Sequence, residues 1–286
     1  MDEPLVRRLL RQFPELDLAS LRPLAEGWDY AIWAVGDEWV FRFPRRAVAI
    51  PGVELELRAL PQLAPLLPLP VPTPAFVGRP TDEFPWPFFG SRLLPGHELG
   101  CLDLDDGART TVARSLGAFL RALHAADIAD LPTDSNRRAD MSVRVPKTRE
   151  QLTAVEGIWD PPPEVDRLLD DAEQLPPTPH RAVVHGDLHF RQLLAEDDGR
   201  LTGVIDWVDL SRSDPAIDLS MYWSYFPAAA REAFLEAYGP VEDEQLLRAR
   251  VLAFSLGAAL AAYGEDERNA AVEREALEGL ARAAAG

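Results

Sequence analysis

One segment in the C-terminal half of the chain, Val184–Ala195 (VHGDLHFRQLLA), constrains the fold more than any other. Within it, Gln192 follows Asp187 by five positions, and the leucine pair after Gln192 begins a predicted strand. A turn at residues 197–200 leads to a second predicted strand, residues 201–205, which ends at Asp206. Two short apolar strands joined by an Asp-Gly turn predict a β-hairpin.

This hairpin would bring three oxygen-bearing side chains together. Its strands place Gln192 and Asp206 side by side at the open end, and Asp187 lies on the loop that leads in. Carboxylate and amide oxygens suit Mg²⁺, which completes its shell with water and phosphate oxygens. The spacing also fits phosphoryl transfer, in which one Asp accepts the proton of the acceptor hydroxyl and two later residues hold the metal. We therefore predict that Asp187 is catalytic and that Gln192 and Asp206 bind Mg²⁺.

Three motifs in this order resemble the aminoglycoside and macrolide phosphotransferase family: His185–Leu194, Gly203–Trp207 and Asp214–Leu219. The resemblance covers about residues 20–260 and implies a protein-kinase-like fold with ATP or GTP as co-substrate. It also implies that Asp218 braces the catalytic loop. Members of the family usually carry Asn, or His in macrolide-kinase-like members, where this chain has Gln192. Glutamine keeps a carbonyl ligand but on a longer stem.

A different enzyme class competes for part of this segment. The pattern His185-x-Asp187-x-His189 could also ligate the dinuclear metal site of a phosphoesterase. Such sites need further histidines downstream. The chain has five, and none follows His189: His97, His124, His180, His185 and His189. The phosphotransferase interpretation is therefore favoured.

The N-terminal third predicts a small lobe with a leading helix at residues 4–13. Three strands follow, at residues 21–26, 31–35 and 39–43, and form an antiparallel meander. In the third strand, Val40 and Arg42 share the face opposite Trp39, Phe41 and Phe43. A kinase-like strand presents a cation to the nucleotide phosphates at this place, so Arg42 would fill the role of the usual lysine.

A partner for Arg42 is expected in the next element, a helix at residues 52–66. There Glu56 lies on one face with Leu60 and Leu63, whereas Glu54 stacks with Arg58. We predict that Glu56 points inward and pairs with Arg42, with Glu54 as the surface alternative.

The two lobes should join after strands at residues 75–78 and 88–94. By the resemblance, main-chain groups of Gly90, Ser91, Arg92 and Leu93 hydrogen-bond the nucleotide base. We expect residues 1–94 to form a nucleotide-binding lobe and residues 95–286 a helical C-terminal lobe with the catalytic loop and the acceptor site. The predicted fold class is α/β (α+β), bilobal, with a small antiparallel sheet and a mostly helical C-lobe.

Within the second lobe, most of the sequence is helical. Helices are predicted at residues 111–124, 147–158, 163–174, 228–238, 243–263 and 265–284. Residues 130–146 are polar and lack periodicity, so we predict an irregular, mobile insertion there.

Composition excludes several partners. The chain has 47 acidic and 29 basic residues, which argues against a nucleic-acid-binding surface. A cationic small substrate would be drawn to such a protein, although solubility explains the same charge. Lys147 is the single lysine, and the single cysteine, Cys101, excludes an internal disulfide and a cysteine-based metal site. Without eighteen uninterrupted apolar residues or an apolar leader, we expect a cytoplasmic protein with no membrane partner.

These observations lead to one functional prediction with two alternatives. The protein is predicted to transfer the γ-phosphoryl group of ATP or GTP, with Mg²⁺, to a hydroxyl of a small molecule resembling an aminoglycoside or macrolide antibiotic. A kinase of a housekeeping metabolite is one alternative. The other is a nucleotide-binding pseudokinase, motivated by Arg42 and Gln192 at positions where the family differs. The sequence does not fix the oligomeric state.

Overall fold

A computed structural model describes all residues, 1–286, and divides them between a small antiparallel sheet and a larger helical part. The N-terminal elements run in the order α1 (Glu3–Leu10), β1 (Leu21–Glu26), β2 (Tyr30–Val35), β3 (Trp39–Pro44), α2 (Ile50–Leu63), β4 (Pro74–Gly78) and β5 (Phe88–Arg92). The sheet has the order β1-β2-β3-β5-β4, and every neighbouring pair is antiparallel. The meander predicted for β1–β3 is confirmed.

The alternation of side chains along β3 separates the core of this sheet from its functional face. Phe41 and Phe43 are fully buried and belong to a cluster of 11 buried residues that includes Val6, Leu9 and Leu10 of α1. Arg42 points to the other face, toward α2. On α2, Glu56 is fully buried and Glu54 is exposed, as predicted from the helical stripe.

The remaining elements form the helical lobe. They are β6 (His97–Glu98), α3 (Asp106–His124), α4 (Met141–Ala154), α5 (Pro163–Glu173), β7 (Ala182–Val184), β8 (Leu193–Ala195), β9 (Leu201–Val204), β10 (Ser211–Ser213), α6 (Ser220–Ser224), α7 (Ala228–Tyr238), α8 (Asp243–Asp266) and α9 (Ala270–Ala285). The predicted hairpin is confirmed as β8 and β9, with β6 added at its edge. Strands β7 and β10 pair separately.

Helix α4 departs from the sequence-based expectation. The irregular stretch predicted for residues 130–146 is wrong from Met141 onward, because α4 begins there and Pro146 lies inside it. The Asp140 side chain accepts a hydrogen bond from the Ser142 amide at 3.1 Å, which satisfies one of the free amides at the helix start. Proline is disfavoured within a helix because it lacks an amide proton. For this reason the helix was predicted to begin only after Pro146, at residue 147.

A large hydrophobic cluster of 54 buried residues fills the helical lobe and extends into α2, through Leu55, Ala59, Leu60 and Leu63. One face of α2 thus belongs to the larger core although the helix follows the small sheet in sequence. Helix α8 is long and apolar enough to cross a membrane by composition, but 61% of its most apolar window is buried in the protein. Its composition reflects packing in this core.

Candidate active site

The loop between β7 and β8 carries Asp187 and is held by a buried carboxylate. Asp218 accepts hydrogen bonds from the amides of His185 (2.7 Å) and Gly186 (3.0 Å). His124 lies 3.1 Å from the same carboxylate and contacts the Tyr238 hydroxyl with its other ring nitrogen. Asp218 therefore braces the loop, which agrees with the role predicted for it.

Gly186 is required by this loop. Its φ of +92° lies in the left-handed region, and a Cβ atom would lie 2.3 Å from the carbonyl oxygen of Asp209. Any other residue would both strain the backbone and displace the 209 segment. The glycine allows the loop to run directly against the segment that follows Asp206.

The two loop histidines use their ring nitrogens within the protein. His185 Nε2 donates to the carbonyl of Ile205 at 3.0 Å, and its Nδ1 faces the amide of Asp187 at 3.4 Å. His189 Nδ1 accepts from the Arg191 amide at 3.2 Å, and burial lowers the pKa of this imidazole to about 3. Because both nitrogens of His185 are engaged, the arrangement does not suit the dinuclear metal site considered for His185-x-Asp187-x-His189.

Asp187 lies where a carboxylate is less acidic than usual. Burial raises the pKa of its carboxyl to about 6, the carboxylate of Asp209 adds to the shift, and His185 and Arg138 oppose it. Its Oδ2 lies 3.8 Å from His189 Nε2. A group with this pKa is ionised at neutral pH and can accept a proton from an acceptor hydroxyl.

Gln192 and Asp206 lie at the open end of the β8–β9 hairpin, as predicted. The main chains are joined at this point, since the Ile205 amide donates to the Gln192 carbonyl oxygen at 2.9 Å. Asp206 has a φ of +65°, a conformation that is uncommon for a residue other than glycine. At this residue the backbone leaves the extended conformation of the strand, and the side chain of Asp206 is 43% exposed.

The donor set fits a divalent cation. Gln192 is buried, and its side-chain carbonyl oxygen Oε1 has no hydrogen-bond partner. A buried oxygen without a donor is destabilising unless a cation or water satisfies it. With the nearby carboxylate of Asp206, it provides the small number of protein oxygens that Mg²⁺ uses when nucleotide phosphates complete its shell.

Arg42 joins the sheet, α2 and Asp206 in one network, and the predicted pair with Glu56 is present. Arg42 Nη1 donates to Glu56 Oε1 at 2.6 Å, and Nη2 donates to Asp206 Oδ1 at 3.2 Å. The guanidinium also lies over the Tyr30 ring, 4.4 Å from its centroid. The amide of Trp207 donates to Glu56 Oε1 at 3.2 Å, so Glu56 holds both Arg42 and the backbone directly after Asp206.

The residues predicted for base recognition lie at the end of β5. Gly90, Ser91 and Arg92 pair with β3, and Leu93 donates its amide to the Glu38 carbonyl at 2.8 Å. The next amide, that of Leu94, makes no hydrogen bond within the protein. Leu94 thus directly follows the predicted segment and has an amide without a partner in the protein. The role of Gly90–Leu93 in binding the base stays a prediction.

A cavity of about 260 Å³ opens beside Asp187, and Arg42 is not among the residues that line it. Its polar lining includes residues that sequence analysis assigned no role: Asn136, Arg138, Arg144, Lys147, Gln151, Ser220 and Ser255. Arg144, Lys147 and Gln151 have the spacing i, i+3, i+7, which places them on one face of α4. This spacing in the sequence could have indicated that the three side chains share a face. It was missed because Arg144 lies in the stretch 130–146, which was predicted to be irregular.

Comparison with known proteins extends these observations. The family model for the phosphotransferase enzyme family matches residues 20–252. An uncharacterised protein of Bacillus subtilis (strain 168), YcbJ, is 26% identical over 231 residues, which are 74% of this chain and 72% of that protein. An aminoglycoside 3′-phosphotransferase of Escherichia coli is 28% identical over 160 residues, which are 50% of this chain and 55% of that protein.

Solved structures share the whole architecture. A GDP complex of aminoglycoside 2′-phosphotransferase-IIIa superposes with a TM-score of 0.73 at 23% identity, over 100% of this chain and 99% of the other. The macrolide 2′-phosphotransferase MphH from Brachybacterium faecium, as apoenzyme, gives a TM-score of 0.66 at 26% identity, over 98% of both chains. The bilobal α/β fold predicted from the sequence is therefore confirmed.

Proposed function

The chain belongs to the phosphotransferase enzyme family, and on this premise we propose that it transfers the γ-phosphoryl group of ATP or GTP to a hydroxyl group of a small molecule. The observation that carries the proposal is the position of Asp187. Asp187 lines the cavity of about 260 Å³, and its carboxyl lies close enough to Asp206, which is bonded to Arg42, for the Asp206 charge to raise its pKa. A carboxylate at this position can accept the proton of an acceptor hydroxyl bound in the cavity.

The proposed step uses groups of this chain at each end. The acceptor hydroxyl oxygen forms a bond to the γ-phosphorus, and its proton passes to Asp187. The bond from the γ-phosphorus to the bridging oxygen breaks, and its electron pair leaves with the nucleoside diphosphate. Arg42, held by Glu56, would orient the phosphates, and positioning of this kind provides much of the rate in phosphoryl transfer.

Gln192 and Asp206 would hold Mg²⁺. The metal, when bound, would supply positive charge that offsets the negative charge on the transferring phosphoryl group. The unpartnered Oε1 atom of buried Gln192 supports this assignment, as does the neighbouring Asp206 carboxylate. Since nucleoside triphosphates are the proposed co-substrates, we also propose that the protein acts in the cytoplasm.

A variant of Asp187 tests the proposal. Asp187→Ala is expected to lower the transfer rate by about 10²–10⁴-fold, the contribution of a positioned general base. Binding of Mg·ADP and Mg·GDP, measured by calorimetry, should remain nearly unchanged because Asp187 serves the acceptor side. Transfer is detected as nucleoside diphosphate release from ATP and GTP with a panel of hydroxylated compounds that includes aminoglycosides and macrolides. Loss of less than about 100-fold would remove Asp187 from the role of general base.

The same assay separates the kinase from a nucleotide-binding pseudokinase. A kinase hydrolyses its nucleotide slowly even without an acceptor, and this hydrolysis requires Mg²⁺. A pseudokinase binds nucleotide without turnover under either condition. The intact Arg42–Glu56 ion pair favours the enzyme, because arginine here makes the contact predicted for the usual lysine.

A further inference from the structure

The wall of the cavity beside Asp187 carries three basic side chains, Arg138, Arg144 and Lys147, whereas Asp187 is its single acidic residue. Arg144 and Lys147 lie one turn apart on α4, both line the cavity, and neither pairs with an acidic residue. Arg138, also in the lining, is different because it pairs with Asp134 and Asp209. Arg144 and Lys147 are therefore the two cations of the lining that have no ion-pair partner in the protein.

Arg144 is the more unusual of the two because it is only 8% exposed. Its side chain makes one hydrogen bond, from Nη1 to the hydroxyl of Ser255 at 3.3 Å, and its Nε atom has no partner. Burial, together with the charge of Arg138, lowers the pKa of this guanidinium. A buried cation without a partner is costly, so this position favours a negatively charged ligand.

Other donors converge on the same space. The hydroxyl of Ser220, on α6, also lines the cavity, is buried and has no hydrogen-bond partner. Lys147 also lines the cavity but is exposed, whereas Arg144 is buried. A ligand bound to Arg144 could therefore also contact the Lys147 ammonium group. A guanidinium, an ammonium and a hydroxyl form the kind of donor set that binds carboxylate and phosphate groups.

We propose that the acceptor is an anionic hydroxyl compound whose carboxylate or phosphate group binds Arg144 and Lys147 while its hydroxyl lies at Asp187. This inference rests on the proposed function, which it deepens by naming the substrate class. The formal net charge of −18 does not oppose it, because charges more than about 10 Å away are largely screened at physiological salt. The nearest cations decide which ligand is bound. A polycationic acceptor would meet Arg144 and Lys147 directly and be repelled.

Simple anions test the site without knowledge of the full acceptor. The protein is first saturated with Mg·ADP or Mg·GDP, so that added phosphate cannot take the places of the α- and β-phosphates. The variants described below distinguish binding in the cavity from binding at the γ-phosphate position. Inorganic phosphate, acetate and kanamycin are then titrated separately at constant ionic strength, with chloride as the reference, and binding is followed by thermal unfolding and calorimetry. We expect phosphate or acetate to bind and to raise the melting temperature more than chloride does. The more effective anion identifies the acidic group of the acceptor.

Three variants assign that binding. Lys147→Gln and Arg144→Gln should each weaken anion binding about tenfold or more, since each removes a charge-assisted hydrogen bond. Arg149→Gln is the matched control on the same helix. Its guanidinium pairs with Asp166 and Asp170 outside the cavity lining, and anion binding should be unchanged. Lys147 is exposed, so its variant remains informative even if the variant of buried Arg144 does not fold.

The proposal is overturned if neither anion binds better than chloride, or if Lys147→Gln binds as tightly as the parent protein. Preferential binding of kanamycin, unchanged in Lys147→Gln, would overturn it as well. Failure of the proposed function is seen separately, as absence of Mg²⁺-dependent turnover of ATP and GTP in the transfer assay, a measurement that does not depend on anion binding.

Discussion

At the residue scale, the proposed chemistry depends on the charge of Asp187. Burial and the carboxylate of Asp209 both disfavour its ionised form, whereas His185 and Arg138 favour it. The balance leaves the pKa at about 6, close enough to neutral for the carboxylate to exist at pH 7 and still accept a proton in the reaction. The same neighbours therefore set the pH range in which the protein can act.

This pKa predicts a pH profile. The active form is the carboxylate, which exists above the pKa, so kcat/KM should be constant near pH 7–8 and fall about tenfold per unit as the pH decreases below about 6. Asp209→Asn removes a negative neighbour and releases Arg138 from an ion pair, and both changes lower the pKa of Asp187. The acidic limb should then move to lower pH. A limb that stays in place or moves upward would contradict the assigned cause.

Gln192 provides a second test at this scale. Gln192→Leu removes the buried, unpartnered oxygen at similar volume and should raise the Mg²⁺ concentration needed for half-maximal activity. Gln192→Asn keeps a carbonyl ligand on a shorter stem, and because Mg²⁺ demands near-octahedral geometry we expect an intermediate change. Activity is measured against Mg²⁺ concentration for the three proteins. Identical curves for the parent and Gln192→Leu would exclude Gln192 as a ligand.

At the scale of elements, the catalytic loop depends on a residue distant in sequence. Asp218 lies just after the short 3₁₀ turn Pro215–Ile217, and its two carboxylate oxygens accept the amides of His185 and Gly186. The pKa of this carboxyl is lowered although burial opposes the change, because His124 and the Gly186 amide stabilise the charged form. The carboxylate thus holds the loop and its connection to α3 together.

Asp218→Asn should therefore weaken both the fold and the reaction. The amide side chain can accept only one of the two loop hydrogen bonds, and a buried donor without a partner costs about 1–3 kcal/mol. We expect the free energy of unfolding in urea to fall by that amount and the transfer rate to fall with it. Asp197→Asn, at an exposed position in the β8–β9 turn, is the control and should leave both unchanged.

At the scale of the whole molecule, Glu56 joins the two lobes. It lies on α2, whose apolar face belongs to the core of the helical lobe, and it binds Arg42 of the small sheet and the amide of Trp207. One fully buried carboxylate therefore connects the sheet, α2 and the segment after the hairpin. This arrangement makes the geometry of the proposed nucleotide site a property of both lobes together.

Glu56→Gln should consequently affect stability and nucleotide binding at the same time. Removing one charge of a buried pair leaves Arg42 poorly compensated, at a cost of up to about 3–5 kcal/mol. Arg42 would then interact mainly with Asp206 and compete with the metal, so Mg·ADP binding should weaken more than binding of metal-free ADP. Calorimetry and thermal unfolding measure the two effects. Glu54→Gln, on the exposed face of the same helix, is the control. It is expected to change neither the stability nor the binding of Mg·ADP.

The sequence alone determined the elements in which local pattern and chemistry agree. The alternation in β3 identified the inward phenylalanines and the face of Arg42, and the stripe on α2 distinguished Glu56 from Glu54. The hairpin and its turn placed Gln192 beside Asp206. These features depend on the periods of strands and helices and on short-range turns, which are written in consecutive residues.

Only the tertiary structure decided how distant segments meet. The start of α4 at Met141, the carboxylate of Asp209 beside Asp187 and the free amide of Leu94 are not marked by any local pattern. The cavity beside Asp187 combines residues of α4, α6, α8 and the loops. The fold brings Asp134 and Asp209 into ion pairs with Arg138 and leaves Arg144 without an acidic partner. Burial and long-range charge pairing arise from packing between elements, and consecutive residues do not specify them.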